Sequence, residues 1–259
     1  MVVVTSSQRD IILDSVRQMY TDVAAHPQQG FHFPTGRAAC LLFGYPAGDL
    51  DLIPETATES FAGVGYPFIA DMIEEGDVVL DVGSGSGTDA LLASLRVGPA
   101  GQVIGIDLVE AMRHKFEANI RRMRARNMRV LEGNAEELPL ADQSVDVVSS
   151  NGVLNLVPDK ARAVREIFRV LRPGGQVQIA DIVLSRPASE ACRSQPQLWA
   201  ECIVGAITET DWLDSFRRVG FTSVTVLSRL DYFGHSPNEE TRKVARSLGA
   251  LSLVMQARR

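Results

Sequence analysis

VVLDVGSGSGTD, residues 78–89, is the stretch on which the reading of this chain turns. Four of its first five residues are apolar, and only Asp81 interrupts them, as a short buried strand requires. Gly83, Gly85 and Gly87 follow at two-residue spacing. Glycines after a strand let a ligand approach the backbone and let the next helix pack closely. The spacing is G-x-G-x-G, not the dinucleotide G-x-G-x-x-G, and no Walker lysine follows. A carboxylate at Asp81, just ahead of the glycines, repels a pyrophosphate and attracts an ammonium group.

The same alternation continues downstream. A helical segment runs to about residue 95, and QVIGID (102–107) is a second strand. The helix from about 110 to 125 carries Met112, Phe116, Ile120 and Met123 on one stripe. MRVLEG (128–133) and VDVVSS (145–150) are the third and fourth strands. Pro158 suits the first turn of a helix whose inner face is Val164, Ile167, Phe168 and Leu171. Pro173-Gly174-Gly175 reads as a tight turn before a fifth strand, 175–184. A helix near 210–219, a strand at 222–229, a helix near 238–248 and a strand at 250–259 follow. The last two strands lack a full crossover and predict an antiparallel pair closing one edge. The fold expected is α/β: a doubly wound, mostly parallel seven-stranded sheet. Ahead of it, Ile12, Val16, Met19, Tyr20 and Val23 predict an N-terminal helical cap over about 7–25. Residues 26–67 read as loops and short turns. Residues 1–74 form a cap and lid segment in this reading, and 75–259 the main domain.

Composition narrows the function classes. Of 259 residues 45% are apolar and 22% charged, as in ordinary globular proteins. The formal charge of -6 argues against a general affinity for nucleic acid. Arg113, Lys115, Arg121, Arg122, Arg124, Arg126 and Arg129 cluster around one helix without stacking aromatics, which predicts a solvated face. No apolar run reaches membrane-spanning length, and MVVVTSSQRD lacks a signal-peptide core. Three cysteines, Cys40, Cys192 and Cys202, make no disulfide framework. A cytoplasmic protein with a small-molecule substrate, no membrane and no nucleic-acid partner is expected; the oligomeric state is not encoded in any pattern.

Candidate site residues fall at successive strand ends, where open α/β sheets bind ligands. Asp107 ends the second strand, where an acid accepts hydrogen bonds from ribose hydroxyls. GNAEELP (133–139) follows the third strand with short polar groups that can read a purine edge, and Asn151 ends the fourth. Asp181, ending the fifth strand, and His32, in GFHFPTGR, are candidate bases. Tyr20, Tyr45 and Tyr66 are candidates for an aromatic lid over a cation.

These motifs resemble a class I methyltransferase using S-adenosylmethionine, over roughly residues 75–230. The resemblance implies that Asp81, Gly83, Ser84, Gly85 and Gly87 face the methionine part of the cofactor. It implies Asp107 on the ribose and Asn134, Ala135 and Glu136 near adenine, with Gly65, Leu108, Met112 and Asn151 completing the set. FGYPAGDLDLIPE (43–55), the run 149–175 and ECIVGAITETDWLDSFRRVGF (201–221) further resemble the arsenite methyltransferase family. That family typically grips trivalent arsenic with three cysteine thiolates. Here Val64 and Gly152 stand at two of those positions, and Cys202 alone matches. The absent side chain at Gly152 suggests room for a different or bulkier acceptor, with Cys202 as a further catalytic candidate. The activity implied is methyl transfer to a small molecule. Arsenite methylation with Cys40 or Cys192 as replacement thiols, and cofactor binding without catalysis, are the alternatives.

Overall fold

A computed structural model describes residues 6–188, 203 and 205–259. Seven strands form one sheet in the order β3-β2-β1-β4-β5-β7-β6. They are β1 (Val78–Val82), β2 (Gln102–Asp107), β3 (Met128–Glu132), β4 (Val145–Asn151), β5 (Leu171–Val183), β6 (Thr222–Leu230) and β7 (Leu251–Arg258). The first five pair in parallel, while β7 runs antiparallel to both β5 and β6. The doubly wound reading, with its antiparallel closing pair, is therefore what the chain adopts.

Alternation along β1 explains the two layers. Val79 joins the layer that holds Leu91 and Phe116; Leu80 and Val82 join the layer of Val164, Ile167 and Trp212. Asp81 shares the parity of Val79, so it faces the first layer. In that layer lie the helices α1 (Ser6–Ala25), α2 (Gly36–Leu42), α3 (Ala47–Leu50), α4 (Glu55–Thr58), α5 (Thr88–Val97) and α6 (Glu110–Met123). The second layer holds α7 (Lys160–Val170) and α8 (Glu209–Val219). A further helix, α9 (Glu239–Leu248), leads into β7. On α7, Val164 and Ile167 are fully buried, each stabilising the sheet contact by about 1.5–3 kcal/mol.

Three sequence expectations need correction. Residues 26–67 are not only loops: α2, α3 and α4 lie there, and Phe33, Phe43, Tyr45 and Phe61 join one core with Val79 and Leu91. Helix α7 starts after Pro158, because the Asp159 side chain accepts from Arg162 N at 2.9 Å and caps it. Pro173-Gly174-Gly175 does not precede β5 but bulges out of it: the ladder to β4 jumps from Leu171 to Gln176.

The basic helix α6 is not wholly solvated either. Lys115 Nζ donates to Glu59 (2.6 Å), Ser60 (2.7 Å) and the Ala24 carbonyl (3.1 Å), pinning the end of α1 to the segment after α4. Arg113 pairs with Glu132 at 3.1 Å, and Arg122 donates to Thr56.

Candidate active site

The sheet order reverses between β1 and β4, where neighbouring helices leave opposite faces and a crevice opens. A cleft lies there, enclosing about 1020 Å³ of empty space, open solvent included. Its floor is the glycine loop. Gly83 N and Ser84 N both donate to the Ile106 carbonyl, at 2.7 and 3.0 Å, which folds the loop back over β2. Gly87 caps α5 at φ +98°, and a Cβ there would sit 2.3 Å from the Phe116 ring. Only glycine fits both the backbone angle and that contact.

Three carboxylates line the cleft: Asp81, Asp89 and Asp107. Asp107 Oδ2 accepts from Gly85 N at 2.8 Å and Oδ1 from Val109 N at 2.8 Å, so it couples the glycine loop to the start of α6. Burial raises its pKa; those two N–H groups act against the rise. Asp81 is 3% exposed, and its Oδ2 has no hydrogen-bond partner. Burial, then the charges of Asp89 and Asp107, push its pKa well above the usual carboxylate range. The buried hydroxyl of Ser84 is also without a partner.

Asp89 belongs to a closed network that the sequence did not disclose. Tyr45 Oη donates to Asp89 Oδ1 at 2.5 Å, and Asn151 Nδ2 lies 3.0 Å from Asp89 Oδ2 and 3.0 Å from Tyr45 Oη. Burial raises the Asp89 pKa to about 6, although both hydrogen bonds pull it down. Asn151 also accepts from Val64 N (2.7 Å) and Gly65 N (3.2 Å) and donates to the Gly65 carbonyl (2.9 Å). The polar end of β4 thus holds the 63–66 loop against the sheet.

Among the sequence-predicted residues Tyr20, Asp81, Gly83, Ser84, Gly85, Asp107, Leu108, Met112, Asn134, Ala135, Asn151 and Gly152 line the cleft. Of the others, those that are described stand away from it. Gly65 is turned toward Ala180 and Val254, and Gly63 lines the cleft in its stead. Gly87 serves as the helix cap. Glu136, 1% exposed, turns inward, where Oε1 accepts from Asp159 N at 2.7 Å and the carboxylate pairs with Arg9 of α1. His32 is outside the cleft, its ring edge-on to Phe33 at 4.7 Å, and burial lowers its pKa. Cys202 and Cys192 lie outside the described residues. Cys40 is fully buried and off the cleft, and burial pushes its thiol far up. Among the described residues no group of three or more His, Cys, Asp and Glu is placed to hold a metal ion.

Asp181 is buried behind the cleft, not in it. Its carboxylate accepts from Asn155 N (3.1 Å) and Ile182 N (2.7 Å), ordering the short 3-10 turn Leu154–Leu156. Burial raises its pKa to about 7. The native state therefore keeps a proton that the unfolded chain releases near pH 4, and this contribution to stability is lost as pH rises from about 4 through about 7. Urea unfolding of Asp181→Asn should show it. The variant's stability relative to the parent is expected to be about 2–3 kcal/mol more favourable at about pH 8 than at about pH 5. An identical difference at both pH values refutes this.

Gly152 lines the cleft, with Val64 packed against it. Gly152 has φ +75°, and a Cβ there would lie 3.0 Å from Val64 Cγ1. Val64 itself is fully buried. The two positions that depart from the thiolate pattern therefore meet.

Comparison with known proteins agrees with this geometry. Residues 73–220 match the model of the family described as "Methyltransferase domain". The chain belongs to that family, and its seven-stranded sheet and glycine loop are those of the class I, S-adenosylmethionine-dependent methyltransferases. Within that class it stands with the arsenite methyltransferases. The crystal structure of an arsenic (III) S-adenosylmethionine methyltransferase from Chlamydomonas reinhardtii is 33% identical, with a TM-score of 0.66 over 87% of this chain and 73% of that one. The arsenite methyltransferase of Halobacterium salinarum is 38% identical over 183 residues, 71% of this chain and 46% of that protein. A demethylmenaquinone methyltransferase of Listeria welshimeri is 36% identical over 109 residues, 42% of this chain and 46% of that protein. The chain spans about half the length of these curated relatives.

Cofactor fit can be judged from the cleft itself. An unpartnered carboxylate oxygen on Asp81 and an unpartnered hydroxyl on Ser84 suit an α-amino acid head group.

Proposed function

We propose that this chain transfers a methyl group from S-adenosylmethionine to a small-molecule acceptor that is not gripped by three thiolates. The observation that carries the reading is the unpartnered Asp81 Oδ2 beside the glycine loop, at the point where strand order reverses. When bound, the cofactor supplies an activated methyl group and its own leaving group. The residues of the chain bind, orient and exclude water. Asp81 receives the ammonium group, Asp107 the ribose hydroxyls, and Asn134 with Ala135 the adenine side. Asp89 has both oxygens engaged by Tyr45 and Asn151, so it positions rather than takes a proton.

Residues 1–74 act in this reading as a cap on the domain 75–259, with the cytoplasm as the place of work and no nucleic acid involved. Among the described residues no helix is long and apolar enough to cross a membrane.

The likeness to arsenite methyltransferases supports a second reading, arsenite methylation with rearranged thiols. Cys40 does not favour it, being buried, protonated and away from the cleft. One experiment separates the two. The protein is incubated with methyl-labelled cofactor and trivalent arsenic, beside the variants Cys40→Ser, Cys192→Ser and Cys202→Ser. Little label on arsenic, with cofactor bound by calorimetry and that binding weakened about tenfold or more by Asp81→Ala, is the expected result. Rapid arsenic methylation that Cys202→Ser abolishes would establish the second reading.

A further inference from the structure

The cleft has two chemically distinct parts. Its polar part is accounted for by the carboxylates, the glycine loop and Asn134. Much of the rest is apolar: Leu13 and Val16 of α1, with Phe61, Val153, Leu156 and Val157, although Tyr20 and Ser60 also line it. Phe61, Leu156 and Val157 are buried there, and Leu13 and Val16 are partly so. No cysteine lies among the described residues that line the cleft.

Charge narrows the occupant further. No Lys, Arg or His lies among the described residues of the cleft, whereas three carboxylates do. Both oxygens of Asp107 and both of Asp89 already accept hydrogen bonds. Asp81 keeps one open oxygen, which the amino group of the cofactor takes. An anionic acceptor would enter a buried field of carboxylates with no protein counter-charge among the described residues, at a cost that burial increases. A second cation would be set beside the positive sulfonium of the bound cofactor.

We infer that the acceptor is a neutral, apolar small molecule held between α1 and the wall of Phe61, Leu156 and Val157. This rests on the methyl-transfer reading and specifies its substrate class. In the transfer a lone pair of the acceptor forms the new bond to the methyl carbon. The carbon–sulfur pair returns to sulfur, and a proton leaves the acceptor for solvent.

The test uses 2-naphthol and 2-naphthoate, which share an apolar frame and differ in charge at neutral pH. Each is titrated by calorimetry into the full chain saturated with S-adenosylhomocysteine. Naphthol is expected to bind about tenfold tighter than naphthoate or better. Val16→Asp should weaken naphthol about tenfold more than it weakens S-adenosylhomocysteine, and Leu13→Asp serves if that variant does not fold. Naphthoate binding as tightly as naphthol, or neither binding while S-adenosylhomocysteine does, overturns the inference. Failure of S-adenosylhomocysteine to bind overturns the methyl-transfer reading beneath it.

Discussion

Asp107→Ala is expected to weaken S-adenosylmethionine binding by about a hundredfold or more, close to 3 kcal/mol. Two separate losses add. The carboxylate holds Gly85 N and Val109 N, each at 2.8 Å, and both become unpaired donors in a buried place, at about 1–3 kcal/mol each. Part of that cost falls on the stability of the free protein and part on the shape of the glycine loop that meets the ligand. The ribose then also loses an ionised acceptor, a bond in the range of about 1.5–3 kcal/mol. Asp107→Asn keeps an acceptor but not the charge, so a loss nearer tenfold is expected. Calorimetry on all three proteins, with circular dichroism as the check on folding, reads the outcome. Folded Asp107→Ala binding within about threefold of the parent would remove this residue from the cofactor site.

The second large effect is at Asn151. Asn151→Asp keeps the oxygen that accepts from Val64 N and Gly65 N. It replaces the amide donor by a second oxygen, 3.0 Å from Asp89 Oδ2 and 2.9 Å from the Gly65 carbonyl. Two carboxylates so close cannot both ionise without large cost, and the pair retains a shared proton as long as pH allows. In the parent protein Asp89 already titrates near 6 because it is buried. A destabilisation of about 3–5 kcal/mol is expected at about pH 8, with much of it recovered at about pH 5, where the shared proton restores a donor. Turnover should fall about a hundredfold at the higher pH, because the 63–66 loop loses its anchor beside the cofactor. Equal urea midpoints for parent and variant at about pH 8 would show that the network does not hold that loop.

Much of this site could be read along the chain, because its main parts are local. A strand, an acid and three glycines within 78–89 make a loop whose form follows from short-range sterics. Asp107 marks its own strand end in the same way. What escaped depends on distance. Asp89 was in plain view, but its partner Tyr45 lies 44 positions earlier and Asn151 lies 62 later. Glu136 sits one residue past Ala135, and nothing local tells that its carboxylate turns toward Asp159 and Arg9, away from the cleft. His32 and Asp181 had the right chemistry, but the core excluded them from the cleft. The bulge at Pro173-Gly174-Gly175 read as a boundary because a turn and a bulge use the same residues. Val16 and Tyr20 of α1 stand on a visible stripe, but a stripe does not say what it covers, and Leu13 lies off it.

The contact between Val64 and Gly152 ties substitutions at these two sites together. A side chain restored at 152 alone would meet Val64 at 3.0 Å and take up a left-handed backbone angle, φ +75°, that side chains rarely adopt. Shortening Val64 alone would leave a hole in a fully buried place, at about 0.5–1.5 kcal/mol or more. Each single reversal is therefore penalised while the other exchange stands. The two positions are therefore coupled, and placing two thiols there would require concerted rather than stepwise change.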